Sequence, residues 1–491
     1  MTSVLDRYVG ATFSSEMVQA AKEVASPRMT GRVSHMVGLT IEVEGLVAAV
    51  GDAVRVARGA RGWLDAEVVA VHGSGLACMP FGNPRGVRFG APVEALGHPL
   101  TFGVGEGLLG RILDGMGRPM DGGPELSDVE QVTVEGSAPH PLDREMIDRQ
   151  LALGIRAIDT CIPCGRGQRL GIFAGSGVGK SSLLSMIARG TAADVSVLAL
   201  VGERGREVNE FVQHDLGAEG LKRSVVVVAT SDEPALVRIR AAFSATRIAE
   251  WFRDQGADVV LMMDSLTRFA MAQREVGLSA GEPPASRGYP PSVFSLLPKL
   301  LERAGVGERG SITGLYTVLV EGDDMNEPIA DASRSILDGH IVLSRRLAQS
   351  GHFPSIEILE SISRLEPAIT TQTERSLARE LRKLLAAYRD ARDLVEIGAY
   401  VRGTNATVDR CLDLQEQIEA FLCQDLHDEV ALADSWRQLE ELLAEDDGPV
   451  VDTGQLAAKG PLHLPRPASA LGLPRGSGRA AGTGAGGVAS P

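Results

Sequence analysis

The stretch Arg169–Gly190, "RLGIFAGSGVGKSSLLSMIARG", decides the reading of this chain. A run of Leu, Ile and Phe gives way to small residues, then to Lys-Ser-Ser and apolar positions at helical spacing, so strand, tight loop and helix follow in that order. Ala174–Ser181 match the phosphate-loop pattern, with Ala at the place of the first Gly. In such a loop the backbone N–H groups of Gly175, Ser176, Gly177, Val178 and Gly179 turn inward around phosphate oxygens. The helix opened by Lys180, Ser181 and Ser182 points its positive end at them. Lys180 reaches the β and γ phosphates, and Ser181 can ligate Mg²⁺. An ordinary Gly-rich turn is the alternative, and the strand-before, helix-after context argues against it.

Working outward, 491 residues suffice for two or three domains, and 44% hydrophobic with 23% charged residues is a globular composition. The formal charge of −15 disfavours nucleic-acid binding through a broad basic surface. No apolar run is long enough to span a bilayer, and "MTSVLDRYVGATFSSEM" lacks the features of a secretory signal, so the expected location is cytoplasmic. Five cysteines suggest no disulfide framework. Cys161 and Cys164 form a lone C-x-x-C, which reads as structural thiols ahead of zinc or redox chemistry.

Residues 1–25 carry Val4, Leu5, Tyr8, Val9 and then Met17, Val18, Ala21 and Val24, a broken helical stripe. Over 26–99 the texture is short Val/Ile-rich pieces punctuated by Gly ("GRVSHMVGLTIEVEG", "DAVRVAR", "AEVVAVHGSGLACMPFG"), which predicts a small β-barrel or sandwich. Over 100–370 a Gly/Asp/Pro-dense connector leads into strand-like runs alternating with helical ones, predicting a parallel sheet covered by helices. Residues 371–446 read as helices. The Gly/Pro/Ala-biased 447–491, without an aromatic residue, reads as a disordered tail.

Hydrolysis needs a metal-holding acid and a group to orient water. Asp264 ends the apolar strand "DVVLMMD", where it can hold hydrated Mg²⁺ beside Ser181; a helix N-cap is the alternative. Glu203 ends another strand, "VLALVGE", and would lie on the same sheet edge, within reach of a water lined up on the γ phosphate, although from spacing alone "GERGRE" is equally a solvated charged loop.

Together "GEGLLGRILDGMGRPMDG", "GIRAID" through "GRGQRLGIFAGSGVGKSSLL", "VGERGREVNEF", "MMDSLTRFAMAQREVGL", "GEPPASRGYPPSVFSLLPKLLERAG", "YTVLVEGDDMNEPIADASRSILDGHIVLSR" and "SISRLEP" resemble the ATPase of bacterial flagellar and type III protein export, a relative of rotary ATP synthase catalytic subunits. The resemblance runs over about residues 25–440. It implies an α/β fold, a RecA-like phosphate-loop core with a small N-terminal β-barrel and a C-terminal helical domain, acting on ATP with Mg²⁺. It also implies that Glu203 polarises the attacking water, with Arg204 in the same loop. Arg364 of "SISR" resembles an arginine finger donated across a subunit boundary, and Phe353 of "GHFP" the aromatic that stacks on adenine, with core packing as its alternative.

Because one chain carries both Glu203 and Arg364, the resemblance implies a homohexamer at the inner-membrane export apparatus. Its implied partners are an axial coiled-coil protein facing "GEPPASRGYPPS", a stator-like regulator at the N-terminus, export substrates with their chaperones, and the membrane export gate. Val4, Leu5, Tyr8 and Val9 could form the regulator's docking face or pack on the barrel. A virulence type III secretion ATPase is the nearest alternative. An RNA-translocating termination ring shares the core, but the acidic charge and a barrel region poor in interleaved basic and aromatic residues oppose it. A rotary synthase subunit fits the phosphate-loop wording less well, and a pure binding module has no use for Glu203, Asp264 and Arg364 together.

Overall fold

A computed structural model describes residues 29–444 apart from 74, 321 and 323; the expectations for 1–25 and 447–491, the N-terminal docking face among them, lie outside the described residues. The Val/Ile-rich pieces at the start form a closed antiparallel barrel of six strands: β1 (Thr30–Val37), β2 (Thr40–Glu44), β3 (Ala53–Ala57), β4 (Trp63–His72), β5 (Gly75–Pro80) and β6 (Pro92–Ala95). Their order is β1-β2-β5-β4-β3-β6, with β6 closing back on β1. Strand alternation sends Val33, Ile41, Val43, Val54, Val56, Leu64 and Val68 inward to fill it. Arg240 reaches Glu67 from the core, its Nε donating at 3.0 Å, and ties barrel to core.

Beyond a two-stranded ribbon, β7 (Thr101–Val104) with β9 (Glu130–Thr133), lies the central sheet. It holds β8 (Ile112–Asp114), β10 (Arg169–Ala174), β11 (Val195–Val201), β12 (Ser224–Ala229), β13 (Asp258–Asp264), β14 (Gly305–Val306), β15 (Ser311–Leu319), β16 (Gly339–Leu343) and β17 (Ile362–Ser363). The order is β17-β16-β10-β15-β13-β11-β12-β8. Every residue of β11 and β12 is buried, as strands covered on both faces require. The sheet is mixed rather than wholly parallel, because the short β14 and β17 run antiparallel to β15 and β16. Two-residue strands carry no periodicity by which a sequence could announce them.

The helix Gln372–Glu396 opens with a capping box in which Thr371 and Glu374 satisfy each other's backbone N–H groups. Its buried Ala378, Leu381 and Leu384 join Ile418, Leu422, Trp436 and Leu439 of the following helices in the core cluster that also holds Leu183 and Ile187 behind the phosphate loop. Cys161 and Cys164 lie in the same cluster as free thiols whose pKa values burial raises, which makes them packing residues. No helix among the described residues is long and apolar enough to cross a membrane.

Candidate active site

β10 and the helix Lys180–Gly190 enclose the loop at 175–179. Gly177 and Gly179 take φ of 76° and 91°, the left-handed region that a side chain resists, and this is what turns the loop back before the helix starts. The loop is also held from across the site. Ser355 Oγ donates to the Val178 carbonyl at 2.6 Å, and the Phe353 ring lies 3.6 Å from the point a Cβ on Gly179 would occupy. Phe353 is 46% exposed, so it stands at the mouth of the loop and does not fill the core. Ser176, Gly177, Ser181 and Ser182 face solvent there, while Gly175 and Val178 are buried.

Register brings the acidic groups in. β11 and β13 are neighbours, with Leu200 opposite Asp264, so Glu203, two residues past β11, emerges at the edge where β13 ends. Lys180 Nζ lies 2.5 Å from Asp264 Oδ1 and 3.5 Å from Glu203 Oε1. The side chains of Lys180, Glu203 and Asp264 are 13%, 15% and 6% exposed. Thr317 on β15 donates its hydroxyl to Asp264 Oδ1 at 2.8 Å and fixes the carboxylate. Burial alone would lower the Lys180 pKa, but the two carboxylates outweigh it and hold it above the ordinary lysine value. Glu203 is raised above the ordinary carboxylate value by burial; Lys180 opposes the shift, and the Asp264 charge and a hydrogen bond with Glu207 add to it.

Two carboxylates flank one ammonium in a largely buried site open toward the loop. With the Ser181 hydroxyl at the helix start, this is a hard-oxygen donor set that fits Mg²⁺. Ser181 and Asp264 would hold the ion, which would polarise phosphate oxygens.

Arg204 and Arg364 stand outside this cluster, and Arg364 was expected to serve a neighbouring chain. Arg204, its side chain 80% exposed, pairs with Glu207 at 3.2 Å from the position before the helix that begins at Gly205. Arg364 follows β17, where Ser363 pairs with Gly339 at the start of β16, whereas the phosphate loop lies beside the end of β16, where Ala174 pairs with Leu343. Arg364 is exposed at the opposite edge of the sheet, with an N–H contact of 3.4 Å to the Arg334 carbonyl. One arginine that the sequence did not single out does reach the site, Arg268. Its side chain packs under Gly202, its charge counters the Glu203 shift, and its Nε is buried without a partner. The signal for it was the fourth residue after Asp264 in "DSLTR", which by itself reads as one more surface position on a helix.

Comparison with known proteins places this geometry. Residues 154–363 match the ATP synthase alpha/beta family, nucleotide-binding domain, and residues 370–441 the T3SS EscN ATPase C-terminal domain. The flagellum-specific ATP synthase of Bacillus subtilis (strain 168) is 48% identical over 436 residues, 88% of this chain and 100% of that one. The SPI-2 type 3 secretion system ATPase of Salmonella typhimurium is 54% identical over 359 residues, 73% of this chain and 83% of that one. The assembled ATPase EscN from the enteropathogenic E. coli type III secretion system superposes with a TM-score of 0.80 at 45% identity, covering 84% of this chain and 100% of EscN. EscN in complex with its central stalk EscO gives 0.78.

Proposed function

Since the chain belongs to the flagellum-specific and type III secretion ATPases, relatives of the ATP synthase alpha/beta family, we propose that it is the Mg-dependent ATPase of a flagellar export apparatus, working as a homohexameric ring. The observation that carries the reading is the convergence of Lys180, Asp264 and Glu203 on the phosphate loop. Lys180 and the loop N–H groups hold the β and γ phosphates, while Asp264, kept in place by Thr317, and Ser181 hold Mg²⁺. Glu203 orients a water whose oxygen attacks the γ phosphorus as the bond to the β-bridging oxygen breaks. ADP and phosphate are the products, and the raised Glu203 pKa suits it to take the water's proton. Arg268 beneath the Glu203 turn favours the ionised form of that carboxylate through its charge.

Phe353 stacks on adenine, its exposure at the loop mouth being what supports the role. Arg364 acts on a neighbouring chain's γ phosphate. Strand register supports this, since its own site lies at the other edge of the sheet. Arg204, out of its own cluster, has no step here. The relatives' assembled form and central stalk favour a ring around an axial partner for this chain also. A division into barrel, core and helical domains near 99 and 370, a regulator at the N-terminus, export substrates with chaperones, the membrane export gate and a cytoplasmic place beside it complete the reading. The deciding experiment measures ATP hydrolysis against protein concentration with mass by light scattering. Specific activity should rise as hexamers form, and Glu203→Gln should abolish it while ATP still binds. Flat activity from a monomer would refute the shared site.

A further inference from the structure

The helix Gln415–Leu422 ends against the loop that carries Phe353. His352, 5% exposed, sets its Nδ1 2.7 Å from Oε1 of Glu419, and the Cys423 sulfur lies 3.6 Å from the same oxygen. One donor atom of each residue lies within 4.8 Å of the other two. Glu419 and Cys423 are four apart at the end of one helix and project from one face, with His352 opposite. A backbone bond braces the junction: the Gln424 N–H donates to the Phe353 carbonyl at 2.9 Å.

An imidazole nitrogen, a carboxylate oxygen and a thiol are borderline donors that suit Zn²⁺ and do not suit Mg²⁺ or Ca²⁺. Tetrahedral zinc with ordinary bond lengths sets its ligand atoms about 3.3–3.8 Å apart. The sulfur–oxygen distance already matches this, and the nitrogen–oxygen distance opens by roughly half an ångström on exchanging a hydrogen bond for a metal. Access exists, since Glu419 and Cys423 line a surface depression with Gln415 and Ala420, while His352 and Glu419 line a cavity on the helix's inner side. The thiols of Cys78, Cys161, Cys164 and Cys411 are buried, which leaves Cys423 as the partly exposed one.

We propose that His352 Nδ1, the Glu419 carboxylate and the Cys423 thiolate bind Zn²⁺, with water as the fourth ligand. Binding releases the Cys423 thiol proton to solvent and leaves the His352 imidazole neutral. The ion joins the C-terminal helices to the Phe353 loop, and the site is independent of the role given to Arg364 or Glu203. Co²⁺ is the probe. Added to the full chain, one equivalent should give a sulfur-to-cobalt charge-transfer band that Zn²⁺ removes. Cys423→Ser should lack the band while keeping the wild-type circular dichroism, and Glu419→Gln should weaken Co²⁺ binding by more than the roughly 10- to 100-fold that losing an outer-shell partner costs. On the unmutated chain, one equivalent of Zn²⁺ should slow iodoacetamide alkylation of Cys423 at least about tenfold, because a metal-bound thiolate is shielded. No band at one equivalent, an undiminished band in Cys423→Ser, or an unchanged alkylation rate overturns the site.

Discussion

Two inactive chains should rescue each other if Arg364 serves a neighbour. From Gly339, beside Ser363, to Leu343, beside Ala174, β16 rises four residues, about 13 Å at strand spacing. An extended arginine side chain covers about 7 Å, so Arg364 falls short of its own phosphate loop. Arg364→Ala alone should lose about 10³- to 10⁵-fold in turnover, the range for an arginine finger. Glu203→Gln alone should be as inactive. In an equimolar mixture that reassembles at random, a complete site needs a chain retaining Glu203 beside a chain retaining Arg364 in the right order. Roughly a quarter of head-to-tail interfaces meet that condition, so turnover should return toward about a quarter of wild type. The assay is steady-state phosphate release after co-assembly, with ring formation checked by light scattering. An inactive mixture of well-formed rings would refute the cross-boundary argument, and an active Arg364→Ala chain would refute the finger itself.

Other outcomes follow from single side chains. The Glu203 carboxyl holds its proton more tightly folded than unfolded, so turnover, which needs the ionised form, should show an acid limb in kcat/KM above the ordinary 4.5. By the same sign, ionising it costs folding free energy at neutral pH, and Glu203→Gln should melt no lower than wild type in the absence of nucleotide; a lower Tm contradicts this. Phe353→Ala should raise KM for ATP by roughly 5- to 150-fold, the equivalent of about 1–3 kcal/mol of stacking, with a smaller change in kcat; an unchanged KM removes Phe353 from the site. Asp159, fully buried, accepts the Leu153 and Gly154 N–H groups at 2.8 and 2.9 Å. Above about pH 7, where the folded carboxylate is ionised, Asp159→Asn offers one oxygen for two donors and should cost about 1–3 kcal/mol in denaturant unfolding. Burial pushes the Asp159 pKa from 3.8 up to about 7, so the folded chain keeps a proton the unfolded chain sheds. Its contribution to stability should fall as pH rises across that interval, and the variant should lack the slope.

What the sequence made legible is what local pattern encodes. The phosphate loop carries its own instructions, and Asp264 was placed by the end of an apolar run. Glu203 was half legible: its place at the sheet edge could be read, but the strand stops two residues before it, at Val201, and the neighbouring β13 sets Asp264 beside it. Thr317, 53 residues from Asp264, and Ser355, 177 residues from Val178, hold the site through pairings that no window of sequence contains. Arg268 was hidden for the same reason, since what makes it more than a surface position is the Gly202 turn above it. Arg204 follows Glu203 in the same loop, but the helix that starts at Gly205 sets its exposed side chain against Glu207, a pairing that adjacency in sequence does not reveal.

The segment between β16 and β17 gives this chain a direction. It leaves the sheet at the chain's own phosphate loop, where Ser355 and Phe353 touch it, and eleven residues past Phe353 it delivers Arg364 to the far edge. A shift of Phe353 and Ser355 on filling or emptying one pocket therefore pulls on the same short tether that offers the finger to the next. Around a ring of identical chains such a tether would pass its message one way only, so successive firing needs no separate timer.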